Sequence, residues 1–161
     1  MAEYPQLRWP ELIYTDYKDT VATVHLWSQI IGKIRLKKTP WLNHSWHVTL
    51  YISARGLTTG SIPYGKGVFQ IDMDFVSHEV IISCGDGGRQ AIKLHSRSVA
   101  DFYRELFARL HEMDIGVAIY PIPNEIDPAI PFEQDTTQRA YDPVQMHLLW
   151  QALALMEPVF V

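Results

Sequence analysis

Two stretches alternate apolar and polar residues with a period of two, and they constrain the fold more than any other feature of the chain. In the first, residues 46–54, Trp46, Val48, Leu50, Ile52 and Ala54 fall on one side, and His47, Thr49, Tyr51, Ser53 and Arg55 on the other. In the second, residues 68–75, Phe69, Ile71, Met73 and Phe75 oppose Gln70, Asp72 and Asp74. Such alternation predicts strands that bury one face and leave the other polar. A third strand is expected over Glu79–Cys84 and a fourth near residues 90–94, joined as a hairpin by Gly85-Asp86-Gly87-Gly88.

On either side the period changes to that of a helix. Val24, Trp27, Ile31 and Ile34 recur at helical spacing, with Val21 and Ile30 widening the stripe, after Thr15 or Asp16 as a cap and before Pro40 as a stop. His25, Gln29 and Lys33 form a second line at i, i+4 and i+8. Gly32 costs this helix about 1 kcal/mol relative to alanine, so it either admits another element closely or marks an earlier end. Ser96 or Ser98 precedes a second helix whose buried face reads Val99, Phe102, Tyr103, Leu106, Leu110 and Met113. A short strand over 116–120 and a proline-rich, acidic loop over 121–138 follow. Asp142-Pro143 then opens a heavily apolar last helix over 144–156. This order predicts one α+β domain over residues 1–161: a mostly antiparallel sheet of four to five strands with helices packed mainly on one face.

Bulk properties narrow the function classes. The chain has 161 residues, enough to bury a core without staples, and its single cysteine, Cys84, excludes an intramolecular disulfide. No signal-like start and no apolar run of about 20 residues is present, so a cytoplasmic location without membrane insertion is expected. Residues 1–60 carry a balance of +3 and the remainder −7, with one basic cluster, Lys33-Ile34-Arg35-Leu36-Lys37-Lys38. At a pI near 5.9 that cluster reads as a helix end rather than a nucleic-acid footprint.

Three readings compete for the polar residues of the first strand. The plainest is a solvated sheet face, with Arg55 paired across strands to an aspartate. The second is a pocket for a small anionic molecule where the first helix meets the sheet, with Lys33, His44, His47, Tyr51, Arg55 and Tyr64 as ligand contacts. Arginine binds carboxylate or phosphate bidentately, and histidine titrates near neutrality. The third is a metal-dependent enzyme using His25, His44 and His47, three imidazoles of the type that zinc or iron takes. No HExxH, paired CxxC or G-x-S-x-G motif supports a specific catalytic chemistry or names a cofactor. His78, His95, His111 and His147 read as surface or edge residues.

Several words in the chain are distinctive: Trp9-Pro10-Glu11-Leu12, residues 25–35, Leu42-Asn43-His44-Ser45-Trp46-His47, Ala54-Arg55-Gly56-Leu57-Thr58-Thr59 and Ile62-Pro63-Tyr64. Asp74-Phe75-Val76, Arg97-Ser98-Val99-Ala100-Asp101-Phe102-Tyr103 and Ile130-Pro131-Phe132 belong with them. Across nearly its whole length the chain resembles a family of bacterial proteins known only as a domain of unknown function. The resemblance implies no activity. It does imply longer relatives, about twice this length, of which this chain matches the N-terminal half. On that footing the last helix and Val159-Phe160-Val161 would form an interface, filled by a second copy or a separate partner chain.

Overall fold

A computed structural model describes residues 8–65 and 67–159. Helix α1 (Tyr14–Lys38) leads into a 3₁₀ segment (Asn43–Val48) and six strands: β1 (Tyr51–Ser53), β2 (Gly56–Thr58), β3 (Ile62–Tyr64), β4 (Gly67–Asp74), β5 (Glu79–Cys84) and β6 (Arg89–Lys93). Helices α2 (Val99–Glu112) and α3 (Pro143–Met156) follow, separated by a long irregular segment. The fold is α+β, and every strand pairing is antiparallel.

The sheet runs β1-β2-β4-β5-β6, and β3 also pairs with β4, so β2 and β3 share one edge of the longest strand. Between them Thr59 takes over the ladder. Its N–H donates to the Ile71 carbonyl, and its hydroxyl accepts from the Ile71 N–H, both at 3.0 Å. The expected alternation of β4 holds through Met73: Phe69, Ile71 and Met73 are buried, and they meet Val80, Ile82 and Ile92 of the neighbouring strands in one core, while Asp74, expected on the polar face, is buried as well. Trp27 of α1 lies at its centre, stacked on Phe102 of α2 at 4.8 Å and on Tyr141 at 5.8 Å. Gln70, Asp72, Ile81 and Ser83 on the opposite face remain half-exposed.

Local capping chemistry places two helices. The Ser98 hydroxyl accepts from the Asp101 N–H at 3.0 Å and donates to the Asp101 carboxylate at 2.7 Å, a reciprocal cap for α2. The Asp142 carboxylate accepts from the N–H groups of Val144 and Gln145 at the start of α3. Helix α1 instead begins at Tyr14 with no side-chain cap, so neither Thr15 nor Asp16 fills that role.

The strand expected over 46–54 does not form. Trp46 is 66% exposed and His47 only 6%, the reverse of what the alternation requires. The chain turns through left-handed His44 and Ser45 into 3₁₀ structure, and sheet pairing begins only at Tyr51. The physical reason lies in α1. Gly32 presents bare backbone, and a β-carbon there would meet the Val48 carbonyl oxygen at 3.1 Å. Arg35 donates to the Thr49 carbonyl and stacks over the Tyr51 ring at 4.8 Å. The His47 Nδ1 accepts from the Leu42 N–H at 3.1 Å. Arg35 thus satisfies a carbonyl of this segment that would otherwise need a strand partner. Residues 116–120 also form no strand: Ile115, Val117 and Ile119 pack on the core without a pairing neighbour.

Candidate functional site

The residues expected to form one pocket lie in separate places. Arg55 sits in the tight turn between β1 and β2, where its Nε donates to the Asp74 carboxylate at 2.6 Å. That pair lines a shallow cleft of about 430 Å³ on the open sheet face, with Gln70 and Asp72. Tyr64 packs edge-on against Phe69 at the far end of β4, and the neighbouring Cys84 thiol pushes its pKa up. Tyr51 lies beneath Arg35. His47 faces inward to its backbone partner, while His44 is exposed. Among the described residues no three His, Cys, Asp or Glu side chains come together as a metal-holding group, so His25, His44 and His47 are not assembled as a triad.

A second cleft, of about 390 Å³, is built from the His25, Gln29, Lys33 line of α1. Its walls are completed by Leu36, by Ser45 and Val48 of the 3₁₀ segment, and by Asn124 and Glu125 from the long segment before α3. Gln29 fixes the geometry. Its carbonyl accepts from the Asn124 N–H at 2.8 Å, and its amide nitrogen donates to the Asn124 carbonyl at 2.9 Å. That orientation leaves an amide hydrogen for the His25 Nε2 at 3.2 Å.

Lys33 is the charge in this cleft. Its ammonium donates to the Asn124 side-chain oxygen at 2.6 Å and lies 5.6 Å from the Tyr120 ring centre and 6.0 Å from that of Phe132. Among the described residues no carboxylate pairs with it. Burial pulls its pKa below the ordinary lysine value. The backbone at the rim is strained: Ser45 and Glu125 line the cleft with φ of 64° and 58°, and His44 beside Ser45 has φ 50°. Left-handed non-glycine residues cost about 1–3 kcal/mol each and concentrate where a ligand or switch is held.

Sequence reasoning found the α1 line but not its partners, because Asn124, Tyr120 and Phe132 arrive from some 90 residues away with no motif to mark them. It also misjudged two histidines. His78 Nδ1 lies 2.8 Å from the Tyr141 hydroxyl, and His147 Nδ1 donates to the Phe75 carbonyl at 2.9 Å. Both are half-buried. Burial and the nearby His147 lower the His78 pKa, and burial raises that of Tyr141 well above the ordinary range.

Comparison with known proteins agrees with the resemblance read from the chain's words. A family model, that of the family of unknown function DUF5996, matches residues 9–161, and the chain belongs to that family. No curated protein and no solved structure matches it.

Proposed function

We propose that this domain binds a small organic anion in the cleft between α1, the 3₁₀ segment and Asn124, with Lys33 as the anchoring charge. The observation that carries the reading is a partly desolvated ammonium that forms no ion pair among the described residues, held in place by Asn124 in a formed cavity. Leaving a cation partly buried and unpaired is costly, and an incoming anion recovers that cost. Lys33 keeps two N–H groups for a ligand after serving Asn124. Of the residues expected from sequence, Lys33 is the ligand contact retained. Arg55, Tyr51, Tyr64 and His47 serve internal contacts.

Thermal melting tests the reading. An anion at 100 times its Kd adds about 2.7 kcal/mol, a rise of about 5–10 °C in Tm for a domain of this size. Wild type is expected to show that rise with at least one of a panel of carboxylates and phosphates, and Lys33→Met is expected to show none. Equal responses of the two proteins would refute it.

One observation favours a second reading, self-association through α3. Among the apolar residues of that helix only Met146 and Ala152 are buried, and Val144 is 64% exposed. Phe160 and Val161, which the sequence placed in the same interface, lie outside the described residues. The solution mass by sedimentation equilibrium is then expected to rise with concentration, and to do so less in Val144→Asp. A concentration-independent monomer mass removes this reading.

A further inference from the structure

We infer that the ligand of the Lys33 cleft is an apolar monocarboxylic acid, its carboxylate on Lys33 and its hydrocarbon along Leu36 and Val48; this rests on the reading of the cleft as an anion site. One ammonium, that of Lys33, lines the cavity, and Glu125 stands at its rim. Lys33 stands toward the C-terminal end of α1, away from the helix N-terminus that favours anions. Phosphate sites are built the other way, from helix N-termini, glycine-rich nests or arginine forks. None of these surrounds Lys33 among the described residues. The cleft thus offers a ligand one ammonium and no phosphate-type donor set, which a single carboxylate matches better than a dianion.

The remaining wall is hydrocarbon. Leu36 lies one turn beyond Lys33 on the same helix face, and Val48 seats on Gly32, its Cγ2 3.4 Å from where a β-carbon would stand. Both residues stay more than a third exposed in the free protein, at 37% and 38%, although both are aliphatic. An acyl chain or small ring lying across them would remove that surface from water. At about 390 Å³ the cleft is at the small end of ligand sites. It suits an acid of the size of octanoate rather than a two-chain lipid.

Isothermal titration of the full chain with acetate, butyrate, hexanoate, octanoate, hexanol and inorganic phosphate separates the possibilities. Affinity is expected to rise about fourfold per added methylene until the wall is covered. Phosphate and hexanol are expected to bind at least tenfold more weakly than hexanoate. Leu36→Asn and the near-isosteric Val48→Thr should flatten the chain-length series without weakening acetate, and Lys33→Met should abolish the whole series. Phosphate binding through Lys33 as tightly as octanoate, or a series with no chain-length gain, overturns the apolar acid while keeping the anion site. Binding of no anion, or binding untouched by Lys33→Met, overturns both.

Discussion

Asp74 and Arg55 form an ion pair whose two halves are expected to differ sharply in what they contribute. The Asp74 side chain is 5% exposed, and its carboxylate accepts three hydrogen bonds: from Arg55 Nε at 2.6 Å and from the N–H groups of Val76 and Ser77 at 2.8 Å each. The last two hold the Phe75–His78 turn that joins β4 to β5. Alanine at 74 orphans two turn N–H groups at about 1–3 kcal/mol each and deletes the pair, so Asp74→Ala is expected to cost about 3–5 kcal/mol. The Arg55 side chain is 57% exposed, and water replaces it, so Arg55→Ala is expected to cost under about 1 kcal/mol. Asp74→Asn, which keeps an oxygen for the turn but loses the charge, should fall between them. Urea unfolding followed by tryptophan fluorescence gives each value from the shift in midpoint at constant m. An Arg55→Ala variant as unstable as Asp74→Ala would refute the argument, because the stabilisation would then reside in the pair and not in the turn.

Acid should weaken the fold in two steps. The lowered His78 pKa means that the unfolded chain takes its proton first, so stability declines as pH drops through about 6.5. Burial opposes ionisation of Asp74, but Arg55 and the turn N–H groups outweigh it and lower its pKa, so a further loss begins below about pH 4. Midpoints measured from pH 8 to 3 check both steps, and a midpoint that rises on acidification contradicts them. Gly56→Ala should cost more than about 3 kcal/mol, since its β-carbon would stand 1.8 Å from the Met73 carbonyl oxygen across the β2–β4 pairing. An unchanged urea midpoint would show that β2 shifts freely. Trp27→Ala should cost about 3–5 kcal/mol, and Trp27→Phe less than half of that, because it also removes an indole N–H buried without a partner. Equal losses on thermal melting would mean that the indole N–H is satisfied in solution.

What the sequence revealed, and what it hid, follows from how local each determinant is. The α2 and α3 starts were legible because Ser98 with Asp101, and Asp142 with Pro143, act within four residues. Strands β4 to β6 were legible because alternation and the Gly85–Gly88 turn both act locally. The segment over 46–54 misled because its alternation is real but its partner is not a strand. Gly32 and Arg35 of α1 decide its conformation, and no pattern within the segment reveals them. The same distinction runs through the cleft. The i, i+4, i+8 line of His25, Gln29 and Lys33 stood out, while Asn124, which turns that line into a site, is fixed only by tertiary hydrogen bonds.

The central claim is that Lys33 anchors an organic anion between α1 and Asn124, and titrating ¹⁵N-labelled protein with octanoate while recording amide shifts tests it most directly. The account predicts that the largest saturable changes fall on Gln29, Lys33, Ser45, Val48 and Asn124, and that Lys33→Met removes them. Changes centred instead on Arg55, Asp72 and Asp74 of the open sheet face, or spread evenly over the surface without saturation, would contradict it.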